Sequence, residues 1–260
     1  MHPISDAYLQ TAIQCADQAR KVTQHWFRAS IEITSKQDKS PVTIADEETE
    51  NVIKSIILNN HPNHSFIGEE TGSEMNDEQW QWIIDPIDGT KSFATGSPTF
   101  GTLISLLRDG IPVLGVIDHG MLDERWIGVT GKPTTHNGKI CRTRSTPTLD
   151  KASIYATTLD MFNESTFAQY DRLSKQCQFR VFGGDCYVYG LLSSGLTDIV
   201  CEADLKPYDY MALSTVVEGA GGIITDWEGK PLTLASKDKV LACGNKSLHQ
   251  AALDILKQPR

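Results

Sequence analysis

The segment from residue 82 to residue 90, Trp-Ile-Ile-Asp-Pro-Ile-Asp-Gly-Thr, constrains the fold of this chain more than any other. Its apolar first part predicts a strand that ends at Asp85, where Pro86 would force a turn and remove one backbone donor. Asp88 would then return close to Asp85 and leave the carbonyl of Ile87 free between the two carboxylates. Two carboxylates and a carbonyl suit a hard divalent cation such as Mg²⁺. The alternative is that both aspartates are ordinary turn and cap residues.

Gly89 and Thr90 follow this candidate cation site and predict the start of a helix. The N–H groups at a helix N-terminus have no partner within the helix, and they favour a phosphate there. A cation site and a phosphate site that are one residue apart point to metal-assisted phosphoryl chemistry.

Four further acids stand where predicted elements begin or end. Glu69 follows a strand predicted over 65–67 and is placed to reach a metal, although an exposed acidic turn is the alternative. Asp46 starts a helix predicted over 45–59, where the helix dipole alone favours a carboxylate. Asp209 starts another helix, either as a cap or as a third acid for the cation site. Asp185, in a Gly-Gly-Asp turn before a helix, is first interpreted as a helix cap.

The negative charge of the chain is concentrated in one window. The chain has 24 Lys and Arg against 33 Asp and Glu, a net charge of −9. Residues 46–88 hold eleven carboxylates and one base, Lys54, so the remainder is about neutral. Nucleic acid and anionic membranes are poor partners for such a chain, and we expect neither. The alternative to a metal site is two solvated acidic surfaces, one of them the polar side of the second helix with Glu47, Glu48 and Glu50.

The element pattern predicts an architecture of mixed class. Residues 8–26 have the spacing of an amphipathic helix, and the first half adds a second helix and an antiparallel sheet. From residue 152 onward strands and helices alternate, which indicates an α/β layer. A polar segment over 131–148 separates these halves. We therefore expect two domains, residues 1–145 with the cation motifs and residues 146–260 with the Gly-rich turn and the last acid.

No part of the sequence suggests export or insertion into a membrane. No run approaches the ~18 apolar residues of a membrane helix, and the first residues lack the basic and apolar regions of a secretory signal. The six cysteines form no Cys-x-x-Cys pair and suit reduced, buried thiols. We expect a cytoplasmic protein.

Taken together, these motifs resemble the inositol monophosphatase-like family of metal-dependent phosphomonoesterases. The resemblance covers residues 40–244 and is carried by 68–70, 85–90, Asp209 and 218–222. It implies a layered αβαβα sandwich, an α+β or α/β fold, and a homodimer. It implies that two or three Mg²⁺ ions are bound by Glu69, Asp85, the Ile87 carbonyl, Asp88 and Asp209. It further implies that Thr90 and Asp46 orient and deprotonate the attacking water, while the N–H groups of Gly89 and Thr90 hold the phosphate.

The second half departs from the members of this family that cleave inositol phosphates. Asp185 replaces a small or hydroxylated residue, and Lys-Pro-Tyr-Asp over 206–209 replaces a Trp-Asp pair. The run from Asp185 to Asp209 is similar to the histidinol-phosphate phosphatases of the family. Histidinol phosphate carries an ammonium and an imidazole, and a carboxylate can pair with either cation. Asp185 and Glu202 would supply two such carboxylates.

Three functions follow as hypotheses. The first is a phosphatase for L-histidinol phosphate in histidine biosynthesis, and the second is a broad inositol or sugar phosphatase. The third is a metal-binding scaffold without turnover. The presence of both Thr90 and Asp46 argues against the scaffold, since a protein without turnover has no need of a pair that activates water.

Overall fold

The computed structural model describes residues 4–29, 34–35, 41–76 and 79–258. Asp77 and Glu78, two acids of the window over 46–88, lie outside these residues. The helices described are α1 (Asp6–Trp26), α2 (Ile44–Asn60), α3 (Thr90–Ala94), α4 (Glu164–Ser174), α5 (Tyr187–Ser193), α6 (Pro207–Gly219) and α7 (Lys246–Leu256). The strands described are β1 (Thr34–Ser35), β2 (Pro41–Val42), β3 (Ser65–Gly68), β4 (Ser73–Glu74), β5 (Trp80–Asp88), β6 (Gly101–Arg108), β7 (Ile111–His119), β8 (Glu124–Val129), β9 (Thr135–His136), β10 (Lys139–Ile140), β11 (Ser153–Ala156), β12 (Phe179–Phe182), β13 (Ile199–Glu202), β14 (Ile223–Thr225) and β15 (Val240–Cys243).

The helices and sheets stack as five layers. The larger sheet has the order β10-β9-β8-β7-β6-β5-β3-β4 and is antiparallel except between β3 and β5. The smaller sheet has the order β12-β11-β13-β15-β14, with β11 parallel to both neighbours. Helices α1 and α2 cover one face of the larger sheet, α5 and α6 lie between the sheets, and α4 and α7 cover the far side. The expected αβαβα sandwich is confirmed.

Burial on both faces explains why the central strands are apolar throughout. Side chains alternate between the two faces of a strand. Trp82 and Ile84 of β5 therefore pack against α1 and α2, while Ile83 packs towards α5 and α6. The smaller sheet repeats the pattern, since Val200 faces the central helices and Cys201 faces α4 and α7.

The end of β5 differs from the sequence-based expectation. Pro86 does not turn the chain, because β5 continues to Asp88 and stays paired with β6. Asp85 pairs with Leu103 and Asp88 pairs with Gly101, so β5 contains one extra residue, a bulge. A bulge tolerates a proline because it interrupts the ladder of hydrogen bonds. Residues three apart in a regular strand point to opposite faces, and the bulge lets the two carboxylates meet.

Glu50 was expected on the polar side of the second helix, and that expectation is wrong. Its side chain is fully buried, whereas Glu47 and Glu48 on the same helix are exposed. The acidic window is therefore not simply a solvated surface.

The two sheets lie on either side of the expected domain boundary. The last strand of the larger sheet ends at Ile140, and the first strand of the smaller sheet begins at Ser153. Helix α6, from the second half, nevertheless packs against strands of both sheets. The division at residue 145 stays a prediction. Among the described residues, no helix is both long and apolar enough to span a membrane.

A pair of glycines lets α6 lie directly on the larger sheet. Gly115 on β7 and Gly128 on β8 are cross-strand partners. A Cβ atom on Gly115 would overlap the carbonyl oxygen of Ala212, and one on Gly128 would overlap that of Thr215. Because α6 also carries Asp209, this close packing sets the position of that carboxylate.

We predict that Gly115→Ala destabilises the protein, because the added methyl group meets the backbone of α6. Overpacking of this kind costs about 1–3 kcal/mol, which lowers the melting temperature by roughly 2–4 °C per kcal/mol in a chain of this size. Thermal unfolding followed by circular dichroism measures the effect. Ile111→Ala, at an exposed position of the same strand, is the control, with an expected change within about 0.5 kcal/mol. Equal melting temperatures for wild type and Gly115→Ala would contradict the steric argument.

Candidate active site

Three carboxylates from two elements converge between the sheets. Asp85 and Asp88 come from the bulged end of β5, and Asp209 is the third residue of α6. Their oxygen atoms lie within 4.8 Å of one another. Pro207 opens α6 at its first position, and Asp209 Oδ2 accepts a hydrogen bond of 2.6 Å from the N–H of Lys206. The same bond that begins the helix therefore orients Asp209.

The surroundings of these three carboxyl groups disfavour their ionised forms. Burial raises the pKa of Asp85, and the charges of Glu69, Asp88 and Asp209 raise it further. Burial, followed by the charges of Asp185 and Asp209, raises the pKa of Asp88. Burial also raises the pKa of Asp209, to about 7. The cluster is poised to accept a positive charge.

The residues present fit a hard metal ion. Asp85 is 1% exposed, yet its Oδ1 has no hydrogen-bond partner among the described residues. The predicted donors are all oxygens, from carboxylates and the Ile87 carbonyl, and such sets suit Mg²⁺. Glu69 joins the group electrostatically, since its charge raises the pKa of both Asp85 and Asp209. The structure thus brings Asp85, Asp88 and Asp209 together, with Glu69 near enough to influence the pKa values of Asp85 and Asp209, while the role of each predicted ligand, the Ile87 carbonyl included, stays a prediction.

Thr90 and Asp46 form the predicted pair. Thr90 Oγ1 lies 3.3 Å from Asp46 Oδ1 and 3.1 Å from the carbonyl oxygen of Ile87. The other oxygen of Asp46 accepts hydrogen bonds from the N–H (2.8 Å) and hydroxyl (2.7 Å) of Thr43, in a capping box that begins α2. Burial raises the pKa of Asp46. Asp46 is therefore both a helix-start carboxylate and the partner of Thr90.

Gly89 occupies a position that requires glycine for two reasons. Its φ of +85° lies in the left-handed region, and it caps the short helix α3. A Cβ atom there would also lie 2.5 Å from Cγ of Asp185. The phosphate cradle at Gly89 and Thr90 stays a prediction.

Asp185 does not cap α5, contrary to the first interpretation. The cap position of α5 is Cys186, and no side chain caps it. Asp185 Oδ2 instead accepts hydrogen bonds from the hydroxyls of Ser92 (2.6 Å) and Thr99 (3.3 Å). The second half of the chain is thereby tied to the segment that follows the aspartate motif.

Glu202 lies at the end of β13 and is 3% exposed. Its two oxygens accept hydrogen bonds from the N–H of Thr157 (2.8 Å) and the hydroxyl of Tyr189 (2.8 Å). It borders a cleft that Asp88 and Asp209 of the acidic cluster also line, and that cleft has an acidic side and an apolar side. The lining includes Asp88, Asp185, Glu202 and Asp209 on the acidic side and Met161, Leu205 and Leu213 on the apolar side.

A link behind Asp88 was missed by the sequence analysis. The N–H of Cys186 donates to Asp88 Oδ2 at 2.6 Å, and Cys186 Sγ lies 3.7 Å from Nε2 of His119. His119 Nδ1 lies 2.7 Å from the carbonyl oxygen of Phe100, and burial lowers the pKa of His119 to about 4. A neutral ring with a proton on Nδ1 can accept a hydrogen bond from the Cys186 thiol at Nε2. No motif signals this contact, because Cys186 and Asp88 are 98 residues apart.

The layered fold and the acidic cluster define a class of phosphatases. The sequence model described as the inositol monophosphatase family matches residues 5–259. The chain belongs to that family, and the resemblance inferred from the motifs is confirmed.

The similar proteins include both histidinol-phosphatases and inositol monophosphatases. The chain is 45% identical to the "Bifunctional phosphatase IMPL2, chloroplastic" of Arabidopsis thaliana over 96% of this chain and 75% of that protein. It is 32% identical to the histidinol-phosphatase of Chlorobaculum parvum over 85% of this chain and 86% of that protein. Among solved structures, an inositol monophosphatase from Zymomonas mobilis superposes with a TM-score of 0.89 at 40% identity, covering 97% of this chain and 98% of that one.

We predict that the metal-free protein loses stability as the pH rises from about 4 to about 7. Below the ordinary aspartate pKa of about 3.9 the carboxyls are protonated in both states. At higher pH the unfolded chain releases its protons first, and stability falls until the pH passes the folded pKa of Asp209, about 7. If Mg²⁺ binds the ionised cluster, as the oxygen donors predict, the stabilisation by Mg²⁺ should grow over the same range, to about 2.7 kcal/mol at a hundredfold excess over Kd.

Melting temperatures with EDTA and with Mg²⁺, at matched ionic strength and at several pH values, measure this effect. The difference between the two conditions cancels titrations elsewhere, such as that of Asp198, whose pKa is lowered to about 2 mainly by Arg144 against the effect of burial. A Mg²⁺ effect that is absent, or independent of pH, would contradict the metal assignment.

Proposed function

We propose that this protein is a Mg²⁺-dependent phosphomonoesterase that hydrolyses L-histidinol phosphate to L-histidinol and phosphate, a step of histidine biosynthesis. The observation that supports this choice of substrate is that Asp185 lines the same cleft as Asp88 and Asp209 of the acidic cluster. Its hydrogen bonds with Ser92 and Thr99 engage Oδ2, and within the described part of the chain no hydrogen bond to Oδ1 is seen, so this oxygen could pair with a cation. The histidinol-phosphatases among the relatives support this choice.

The metal ligands we propose are Glu69, Asp85, the Ile87 carbonyl, Asp88 and Asp209, for two or three Mg²⁺ ions. When bound, Mg²⁺ supplies Lewis-acid chemistry that lowers the pKa of a water molecule and stabilises the leaving alkoxide. The rest of the chemistry is assigned to the residues of this chain.

In this proposal Thr90 and Asp46 orient and deprotonate the attacking water. Thr43 engages Oδ2 of Asp46, so Oδ1 faces Thr90 and can accept a proton through its hydroxyl. The N–H groups of Gly89 and Thr90 would hold the phosphate, since the left-handed turn at Gly89 starts α3 beside the cluster.

The cleft favours a cationic substrate over a neutral polyol. Asp185 and Glu202 border the cleft together, and a carboxylate pairs strongly with an ammonium or an imidazolium. Met161 and Leu205 would face the imidazole ring from the apolar side. An inositol-1-phosphate or a sugar phosphate offers only hydroxyl groups beyond its phosphate. A broad inositol or sugar phosphatase is nevertheless the second candidate function, because the chain is similar to the Zymomonas mobilis enzyme. A metal-binding scaffold is the most distant alternative.

Two further expectations remain predictions. The first is the homodimer, for which the family resemblance is the ground. The cytoplasmic location rests on the sequence alone.

Phosphate release from a panel of monoesters tests the substrate. We predict that turnover needs Mg²⁺ and is highest for histidinol phosphate, with inositol-1-phosphate and glycerol phosphate below it. Asp185→Asn should then lower kcat/KM for histidinol phosphate by roughly 10- to 150-fold, the equivalent of a charge-assisted hydrogen bond of about 1.5–3 kcal/mol. Glycerol phosphate lacks the cation, so its kcat/KM should change little.

The double difference between two esters and two proteins cancels general damage to the site. Asp204→Asn, at an exposed aspartate whose side chain is 71% accessible, is the matched control and should affect neither ester. Equal losses on both esters would remove Asp185 from substrate recognition. Turnover of every ester in EDTA would remove the metal mechanism.

We predict that Thr90→Ala lowers kcat by about 10²-fold or more and leaves KM nearly unchanged. The hydroxyl acts on the attacking water in the transition state, whereas the backbone N–H that would hold phosphate survives the substitution. Steady-state kinetics with Thr95→Ala as the control, an exposed threonine at the other end of α3, measures the difference. A change confined to KM would make Thr90 a binding residue.

A further inference from the structure

Glu50 is a carboxylate in the interior that none of the proposed chemistry uses. It lies on α2, one helical turn after Asp46, and its side chain is fully buried. A buried carboxylate is unfavourable unless hydrogen bonds satisfy it. Glu50 Oε2 accepts a hydrogen bond of 2.9 Å from the N–H of Glu70, and Oε1 accepts one of 2.6 Å from the N–H of Thr71.

These bonds place the carboxylate inside the turn that follows β3. The N–H of Gly68 donates to the carbonyl of Gly72 at 3.0 Å, which closes the turn over 68–72. A Cβ atom on Gly68 would overlap the carboxylate of Glu50, so only glycine admits it at this point. Successive N–H groups of a turn form a concave site for an anion, and Glu50 is the anion that this turn encloses.

Glu69 is the residue whose position this arrangement fixes. It stands between Gly68, which packs on the Glu50 carboxylate, and Glu70, whose N–H binds it. The side chain of Glu69 lies within hydrogen-bonding reach of Asp85, and its charge raises the pKa of both Asp46 and Asp85. The backbone of the turn thus connects Glu50 to the metal cluster.

We propose that Glu50 is a positioning residue, which holds the turn so that Glu69 reaches the metal cluster and thereby sets the affinity for Mg²⁺. The inference rests on the proposed role of Glu69 as a ligand. Glu50 itself does not face the ion. Partners that orient metal ligands typically change metal affinity by 10- to 100-fold when they are removed.

Glu50→Gln tests the inference, because it keeps the size of the side chain and one acceptor oxygen but turns an amide group towards the second N–H. Titration calorimetry with Mg²⁺ alone should give an affinity at least tenfold weaker than wild type. The Mg²⁺ concentration for half-maximal turnover should rise to match, while KM and kcat at saturating Mg²⁺ change less. Glu47→Gln, exposed on the same helix, is the matched control and should bind Mg²⁺ like wild type.

A double-mutant cycle with Glu69→Gln separates positioning from other effects. If Glu50 acts through Glu69, adding Glu50→Gln to Glu69→Gln should weaken Mg²⁺ binding less than twofold further. If the two substitutions reduced the Mg²⁺ affinity independently, so that their effects multiplied, the inference would be overturned. It would also be overturned if Glu50→Gln bound Mg²⁺ with wild-type affinity while Glu69→Gln bound it weakly. Wild-type affinity in Glu69→Gln itself would instead overturn the ligand assignment in the proposed function.

A second variant covers the case in which Glu50→Gln does not fold. Glu50→Asp keeps both acceptor oxygens and the charge but is one methylene shorter, so it draws the turn away from the cluster. We expect a folded protein with Mg²⁺ affinity reduced several-fold, and with the reduction lost in the Glu69→Gln background. Unchanged affinity in Glu50→Asp would overturn the inference as well.

Discussion

The gathering of several carboxylates in one poorly solvated cluster is the constraint on which the rest of this structure depends. Asp85, Asp88 and Asp209 lie close together, and burial, followed by the charges of neighbouring acids, raises the pKa of each. Backbone N–H groups compensate part of the negative charge, because each donates a hydrogen bond to one oxygen of a carboxylate. Asp88 is bound by the N–H of Cys186 and Asp209 by that of Lys206. These bonds do not compensate all of the negative charge, above all at Asp85. The uncompensated charge attracts a cation.

The force that overcomes the repulsion is hydrophobic packing at a distance from the acids. Helix α6 is buried between two sheets, and the glycines at 115 and 128 let its backbone approach the larger one. Burial of apolar side chains contributes roughly 25 cal/mol per Å², so the well-buried face of α6 can hold Asp209 against several like charges. The bulge in β5 performs the corresponding task for the other two acids, because pairing with β6 on both sides of it fixes their spacing.

The parts of the site that are local in sequence were the predictable ones. The aspartate motif predicted Asp85 and Asp88 together, and a helix start predicted the place of Asp209. The bulge was not predictable from the local sequence, because Pro86 alone favours a turn. Pairing of β5 with β6 keeps the strand continuous, and that pairing depends on residues distant in sequence. Glu50 was misplaced because its helix face has weak apolar patterning, and its partners are backbone groups about twenty residues away. Contacts that depend on tertiary packing leave no pattern in the residues that make them.

The turn at 183–186 links Asp88 of the acidic cluster to Asp185, the residue proposed to select the substrate. Cys186 holds Asp88 through its N–H, while the adjacent Asp185 borders the cleft and packs on Gly89. The positions of both residues depend on one backbone conformation, in which residues 183, 184 and 185 all have positive φ. A substitution at 185 that disturbs this backbone would therefore reach both the acidic cluster and the predicted phosphate cradle, whereas an isosteric change such as Asp185→Asn keeps the backbone in place. Because the same backbone orients Asp88 through the N–H of Cys186, any side chain at 185 has to tolerate the left-handed region, which restricts the acceptable residues at this position whatever substrate the cleft binds.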